Sequence, residues 1–191
     1  MSHKFLQEAS FHSLLNKIDQ ELSDNAHEEP CSHCGGRLHQ SNYPRSPFGI
    51  ALPFRKNYEE RLSLCCGKCR KRTTPPSIRF FGRRRFPAPL ILLISILTLG
   101  INDKRLSQVK RHFGITVSKS TWDRWRRWWR ESFMTTAFWQ QARGLLPPRS
   151  EIIQGPFPRE LFRVFQGKME ERMLFLLHFM TPLTAGVLRA L

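Results

Sequence analysis

The sequence predicts a mainly α protein organised around one small, loop-rich module held by a metal, and three observations carry that expectation. All five cysteines fall between Cys31 and Cys69, in a stretch rich in Pro, Gly and Ser. Apolar residues recur at helical spacing before that stretch, and helix formers dominate from Pro87 onward. The 191 residues hold 40% hydrophobic side chains and 15 Phe, enough to fold one domain or two small ones but too few for a large enzyme core.

Phe11, Leu14, Leu15, Ile18 and Leu22 recur on a helical period, with Asp19, Glu21 and Asp24 on other faces. Residues 4–23 therefore read as an amphipathic helix with an acidic exposed side. Residues 25–30 break the pattern as a linker, so 1–30 form a first segment. No apolar stretch of the secretory kind opens the chain, and an intracellular, cytoplasmic protein is expected.

Residues 31–86 form the second segment. Cys31-Ser32-His33-Cys34-Gly35-Gly36 and Cys65-Cys66-Gly67-Lys68-Cys69 supply two Cys-x-x-Cys pairs. Such pairs make knuckles that turn backbone N–H groups toward thiolates, and four thiolates suit a tetrahedral metal. The expected ligands are Cys31, Cys34, Cys66 and Cys69, holding one structural zinc per chain; four sulfur ligands leave no open position for a reactive water. Disulfides are the competing reading, and an intracellular setting argues against them. Cys65 is the ambiguous member. If residues 61–66 are extended, Leu62, Leu64 and Cys66 share a face and Cys65 points the other way. His33 and His39 are read as solvated or phosphate-contacting, not as ligands.

The charge balance of 31 Lys and Arg against 15 Asp and Glu attracts polyanions, and 22 of the bases are Arg, whose planar fork suits phosphates and guanine edges. Residues 31–149 hold 24 of the bases and only five acids. Arg70, Lys71, Arg72, Arg79, Arg83, Arg84 and Arg85 form a basic strip beside the second knuckle, expected to run along a phosphate backbone; a solvated linker is the alternative. Phe80 and Phe81 read as packing residues.

Residues 87–149 read as a helical domain. Its first helix follows Pro87 and Pro89 and contains Leu90 to Leu99, about half the length that spans a bilayer, so it is a core helix and no membrane partner is expected. Residues 103–113, with Leu106, Val109 and Phe113 on one stripe, end at Gly114, and Ser118 caps a further helix reaching Phe133. This is the order helix, turn, helix, in which the second helix enters a DNA major groove. Trp122, Trp125, Trp129 and Phe133 mark its core face. Lys119, Ser120, Arg124 and Arg127 lie opposite, with Asp123, as the base-reading residues. A stacking platform for single strands is the other use of so many tryptophans, with Trp128 off the stripe. Asp103, Asp123 and Glu131 do not form an acidic trio, no tyrosine nucleophile is supported, and no catalytic residue is expected.

Residues 150–191 form two short apolar helices, near Arg159–Phe165 and Met169–Met180, read as a protein-contact element that packs on the preceding domain, a second copy or a partner.

The order Cys-x-x-Cys-Gly-Gly, Cys-x-x-Cys-Arg-Lys-Arg, helix-turn-helix resembles the amino-terminal DNA-binding region of bacterial insertion-sequence transposases and their short regulatory partners. It also resembles a group of short bacterial proteins sharing Tyr43-Pro44-Arg45, the Cys65-Cys66 doublet and residues 72–77, Arg-Thr-Thr-Pro-Pro-Ser. The likeness covers residues 31–133. It implies a zinc-ribbon-like module and a helix-turn-helix binding the double-stranded DNA of a mobile element. A 31-residue spacer between the knuckles, a turn at 114–118 about two residues longer than usual and the lack of a following catalytic domain depart from the pattern. The expected function is thus a non-enzymatic accessory or regulatory subunit of a transposition or recombination system, nucleoid-associated, working with a separately encoded recombinase or as a homodimer. A sequence-specific transcriptional regulator and an RNA-binding module are the alternatives.

Overall fold

The computed structural model describes residues 4–82, 84–97, 103–113, 116–146 and 157–184. Helix α1 spans Ala9–Glu28, after a 3-10 turn at Lys4–Gln7. It has the 20 residues its apolar pattern suggests but is shifted by five, starting at Ala9 and ending at Glu28 where the pattern reads 4–23. Its last turns are held from outside: the His27 imidazole donates to the Leu38 carbonyl (2.9 Å), and Ala26 packs against the cysteine cluster. Pro30, which cannot continue a helix, then follows. The buried face of α1 is also rotated from expectation. Phe11, His12, Leu15, Asp19 and Ser23 face inward, while Leu14 is 38% exposed. Asp19, expected on the exposed acidic side, is fully buried.

Short strands follow: β1 (Leu38–Gln40), β2 (Tyr43–Pro44), β3 (Glu60–Arg61), β4 (Leu64–Cys66) and β5 (Arg72–Thr73). β1, β4 and β5 form an antiparallel sheet with β4 central, Leu38 opposite Cys66 and Cys65 opposite Arg72; β2 and β3 pair separately. A 3-10 segment at Leu52–Tyr58 buries Tyr58 against α1, where its hydroxyl donates to His12 Nδ1 (2.8 Å) and His12 Nε2–H donates to the Leu6 carbonyl (3.0 Å).

The second half is helical. α2 (Ala88–Leu97) is apolar on every side and therefore buried on every side, as such a helix must be. α3 spans Asp103–Phe113 and α4 spans Lys119–Arg127. Gly100 and Gly114, the expected helix ends, lie outside the described residues. Ser118 caps α4, its Oγ accepting from the Thr121 N–H (3.2 Å), as its place in the sequence predicts. After α4 the backbone widens into a π turn at Trp128–Ser132, with the Phe133 N–H bonded back to the Trp128 carbonyl. Side chains four apart drift around an ordinary α-helix; the wider turn reverses that drift and keeps Trp125, Trp129 and Phe133 on one buried line.

α5 (Ala137–Ala142), α6 (Arg159–Val164) and α7 (Met169–Phe179) complete the order. The tail expected as a protein-contact element packs on the preceding helices. Leu161, Phe162, Met173, Leu176 and Leu177 are buried, and α6 and α7 both rest on α2. One continuous apolar core joins α1, residues 78–81, α2, α4, α6 and α7, so the boundaries read at residues 30 and 149 do not separate independent cores. A second, small core surrounds Cys31, Leu38, Leu64 and Cys66.

Candidate metal centre and basic surface

The two knuckles meet. The sulfur atoms of Cys31, Cys34, Cys66 and Cys69 all lie within 4.8 Å of one another, with Cys31–Cys69 at 3.7 Å and Cys34–Cys66 at 3.5 Å. Four thiolates bonded at about 2.3 Å to a tetrahedral ion stand about 3.8 Å apart, so the cluster fits one metal ion.

Each knuckle reaches this geometry by the same local turn. In the first, the N–H groups of Cys34 and Gly35 donate to the Cys31 carbonyl (3.2 and 2.8 Å), and Gly35 takes φ +68°. In the second, Arg70 N–H donates to the Cys66 carbonyl (3.0 Å), and Arg70 itself takes φ +60°, the left-handed position that Gly fills in its counterpart. Gly36 admits no side chain, because a Cβ there would sit 3.0 Å from Cys66 Sγ. The Cys69 N–H donates to Cys66 Sγ (3.4 Å); it is the principal cause that holds the Cys66 thiol down to about 6, against burial and helped by the Lys68 N–H. A thiol lowered this way is ready to ligate as thiolate.

Cys65 stands apart on the opposite face of β4, its Sγ near the Arg70 carbonyl (3.5 Å), as the strand alternation predicts. His33 lies beside Lys71 Nζ (3.5 Å) and His39 packs on Gly67; neither joins the cluster.

The basic strip divides into different fates. Arg70, Lys71 and Arg72 are exposed; Arg72 donates to the Ser41 carbonyl (2.5 Å) and Ser63 Oγ (3.0 Å) and lies 5.5 Å from the Tyr43 ring centroid. Arg79 does not face a phosphate. It is 2% exposed, its Nε donates to Asp19 Oδ2 (2.7 Å), and another of its N–H groups donates to the Asn57 carbonyl. Asp19 takes two more donors, Ser77 Oγ–H (2.5 Å) and Ile78 N–H (2.7 Å). A signal for this was present: Asp19 follows Phe11 by eight residues and Leu15 by four, on their own stripe. Arg83 lies outside the described residues. Arg84 is half-buried with its guanidinium 4.6 Å over Trp128, and Arg85 is exposed.

On α4, Lys119, Ser120, Asp123, Arg124 and Arg127 are exposed while Trp122 and Trp125 are buried, so the two faces separate as expected. Arg124 Nη2 donates to Thr121 Oγ1 (3.0 Å). Sequence reasoning missed Arg45 and Arg61. Arg61 is buried, and with Arg45 and Arg79 it surrounds the Phe80 ring at 5.3–5.9 Å. Among the described residues, no helix is long and apolar enough to cross a membrane. No protein-family model, no curated protein and no solved structure matches this chain.

Proposed function

We propose that this is a DNA-binding protein whose small module is a zinc ribbon and whose α3–α4 pair is a helix-turn-helix, acting without chemistry of its own as an accessory or regulatory subunit of a mobile-element system. The observation that carries the reading is the four-cysteine cluster joined, through β4 and β5, to the exposed Arg70, Lys71 and Arg72, in a chain that also exposes Lys119, Arg124 and Arg127 on one helix. Zinc is the metal that best suits four thiolates in a tetrahedron. Its role is to fix the hairpins, since an ion bound only in the folded state contributes its binding energy to folding. The exposed arginines neutralise phosphates, and the capped first turn of α4 presents Lys119, Ser120 and Arg124 toward base edges.

The test is selection of bound sequences from a random duplex pool, followed by competition with structured RNA at equal salt. Duplex DNA wins, and affinity falls steeply with salt. Arg124→Ala costs about 1–3 kcal/mol on the selected site and little on random DNA. RNA winning the competition makes the protein an RNA-binding module, and no binding to either polymer overturns the reading.

A further inference from the structure

Phe48 (46% exposed) and Leu52 (79%) stand out from one loop, and a fold does not leave large apolar side chains in water without cost. The loop is tightly held. Phe48 N–H donates to the Arg85 carbonyl (3.0 Å), Arg85 Nε donates to the Ser46 carbonyl (3.4 Å), and Arg45 Nη2 donates to the Arg84 carbonyl (2.6 Å). Phe48 meets Phe86 edge to face (5.1 Å, 86°), and Phe86 meets the buried Trp125 the same way (5.0 Å, 86°). A ladder of rings thus runs from the core to the surface and fixes the plane of its last member. The Arg85 guanidinium lies over one side of that ring, 5.8 Å from its centroid, so the two groups offer one joint surface. Among the described residues, no carboxylate comes within ion-pair distance of Arg45, Arg84 or Arg85. The patch therefore joins a half-exposed, held aromatic ring to the exposed Arg85 guanidinium, which has no counter-charge among the described residues.

We propose that Phe48 and Arg85 form a stacking site for an unpaired nucleobase, with the charge of Arg85 favouring its phosphates. The inference deepens the nucleic-acid reading above and rests on it. Bases inside a duplex already cover one another's faces, whereas a single-stranded or extruded base has a free face that stacks on an aromatic ring or guanidinium plane, whatever its identity. An anionic membrane is the weaker occupant, because surface insertion draws on a broad apolar face and here Phe48 and Leu52 are the only large apolar side chains exposed between residues 45 and 58. Trp122, Trp125, Trp129 and Trp139 are buried and so unavailable for the role, and the half-buried Trp128 has the Arg84 guanidinium over its ring at 4.6 Å.

The experiment measures anisotropy of a labelled 15-nucleotide single strand and of the matching duplex, at one salt concentration, with the full chain, Phe48→Ala, Phe48→Leu and Phe48→Trp. Phe48→Leu keeps an apolar contact for Phe86 and removes the π face; thermal unfolding confirms that each variant folds. Loss of one base stack weakens single-strand binding by about tenfold in the Ala and Leu variants, while duplex affinity changes less than about twofold and Phe48→Trp retains the single-strand affinity. A 2-aminopurine in the strand is quenched by the parent and by Phe48→Trp only. Single-strand affinity unchanged in both Ala and Leu variants, or a loss that is equal on duplex, overturns the inference, while duplex binding by the parent leaves the reading above standing. A parent that binds neither polymer removes the nucleic-acid reading itself. Loss confined to phosphatidylglycerol vesicles makes the patch a lipid contact and also overturns the proposal.

Discussion

Replacing Asp19 by Ala removes the carboxylate paired with Arg79, at a site where the two side chains are 0% and 3% exposed. Three donors lose their acceptor together: Arg79 Nε–H, Ser77 Oγ–H and Ile78 N–H. The charged one dominates, because taking one partner from a buried ion pair leaves an uncompensated charge and costs about 3–5 kcal/mol. With a urea m-value of about 2 kcal/mol/M, the unfolding midpoint falls by about 1.5–2.5 M. Asp19→Asn, which keeps the shape and one acceptor oxygen, costs less. The double variant Asp19→Ala/Arg79→Met removes both charges and is more stable than the sum of the single effects by at least about 1 kcal/mol, the signature of direct coupling. Urea unfolding followed by tryptophan fluorescence reads the parent, the two Asp19 variants, Arg79→Met and the double variant. A midpoint shift under about 0.5 M for Asp19→Ala would mean that this carboxylate is solvated and that α1 is turned the other way.

Three further outcomes follow from the same geometry. The purified protein holds one zinc per chain by elemental analysis; Cys66→Ser loses it and Cys65→Ser keeps it, and the reverse result would exchange the two cysteines as ligands. His12 sits below its ordinary value of 6.5 because burial disfavours the charged ring and outweighs its bond to the Leu6 carbonyl, so below pH 6.5 the unfolded chain binds more protons than the folded one. Stability therefore falls as pH drops from 6.5 toward the lowered folded value, and the parent-minus-His12→Phe difference, which cancels the acid sensitivity of the cysteine centre, isolates that slope; a flat difference refutes it. Truncation after Arg149 strips α6 and α7 from α2, and the fragment aggregates or loses its cooperative melt, whereas a soluble, cooperatively folding fragment would detach the tail from the core.

The grouping of the four cysteines, the capped start of α4 and the buried tryptophan line were legible in the sequence, because each depends on separations of a few residues. Two residues between cysteines are enough to shape a knuckle, alternation along β4 is enough to turn Cys65 away from Cys66, and a serine three residues before a free N–H is enough to cap a helix. The fates of the individual charges were decided only by tertiary structure. Arg79 and Arg85 look alike in a run of bases, yet Arg79 meets a carboxylate 60 residues away and is buried with it, whereas Arg85 meets no carboxylate among the described residues and is exposed. The late end of α1 at Glu28 and the docking of the tail share that origin, since Leu38 holds the end of one and α2 covers the faces of the other. Desolvation is the physical reason: a guanidinium enters a core only where a distant partner offsets the loss of water, and no local pattern records which partner the folded chain brings.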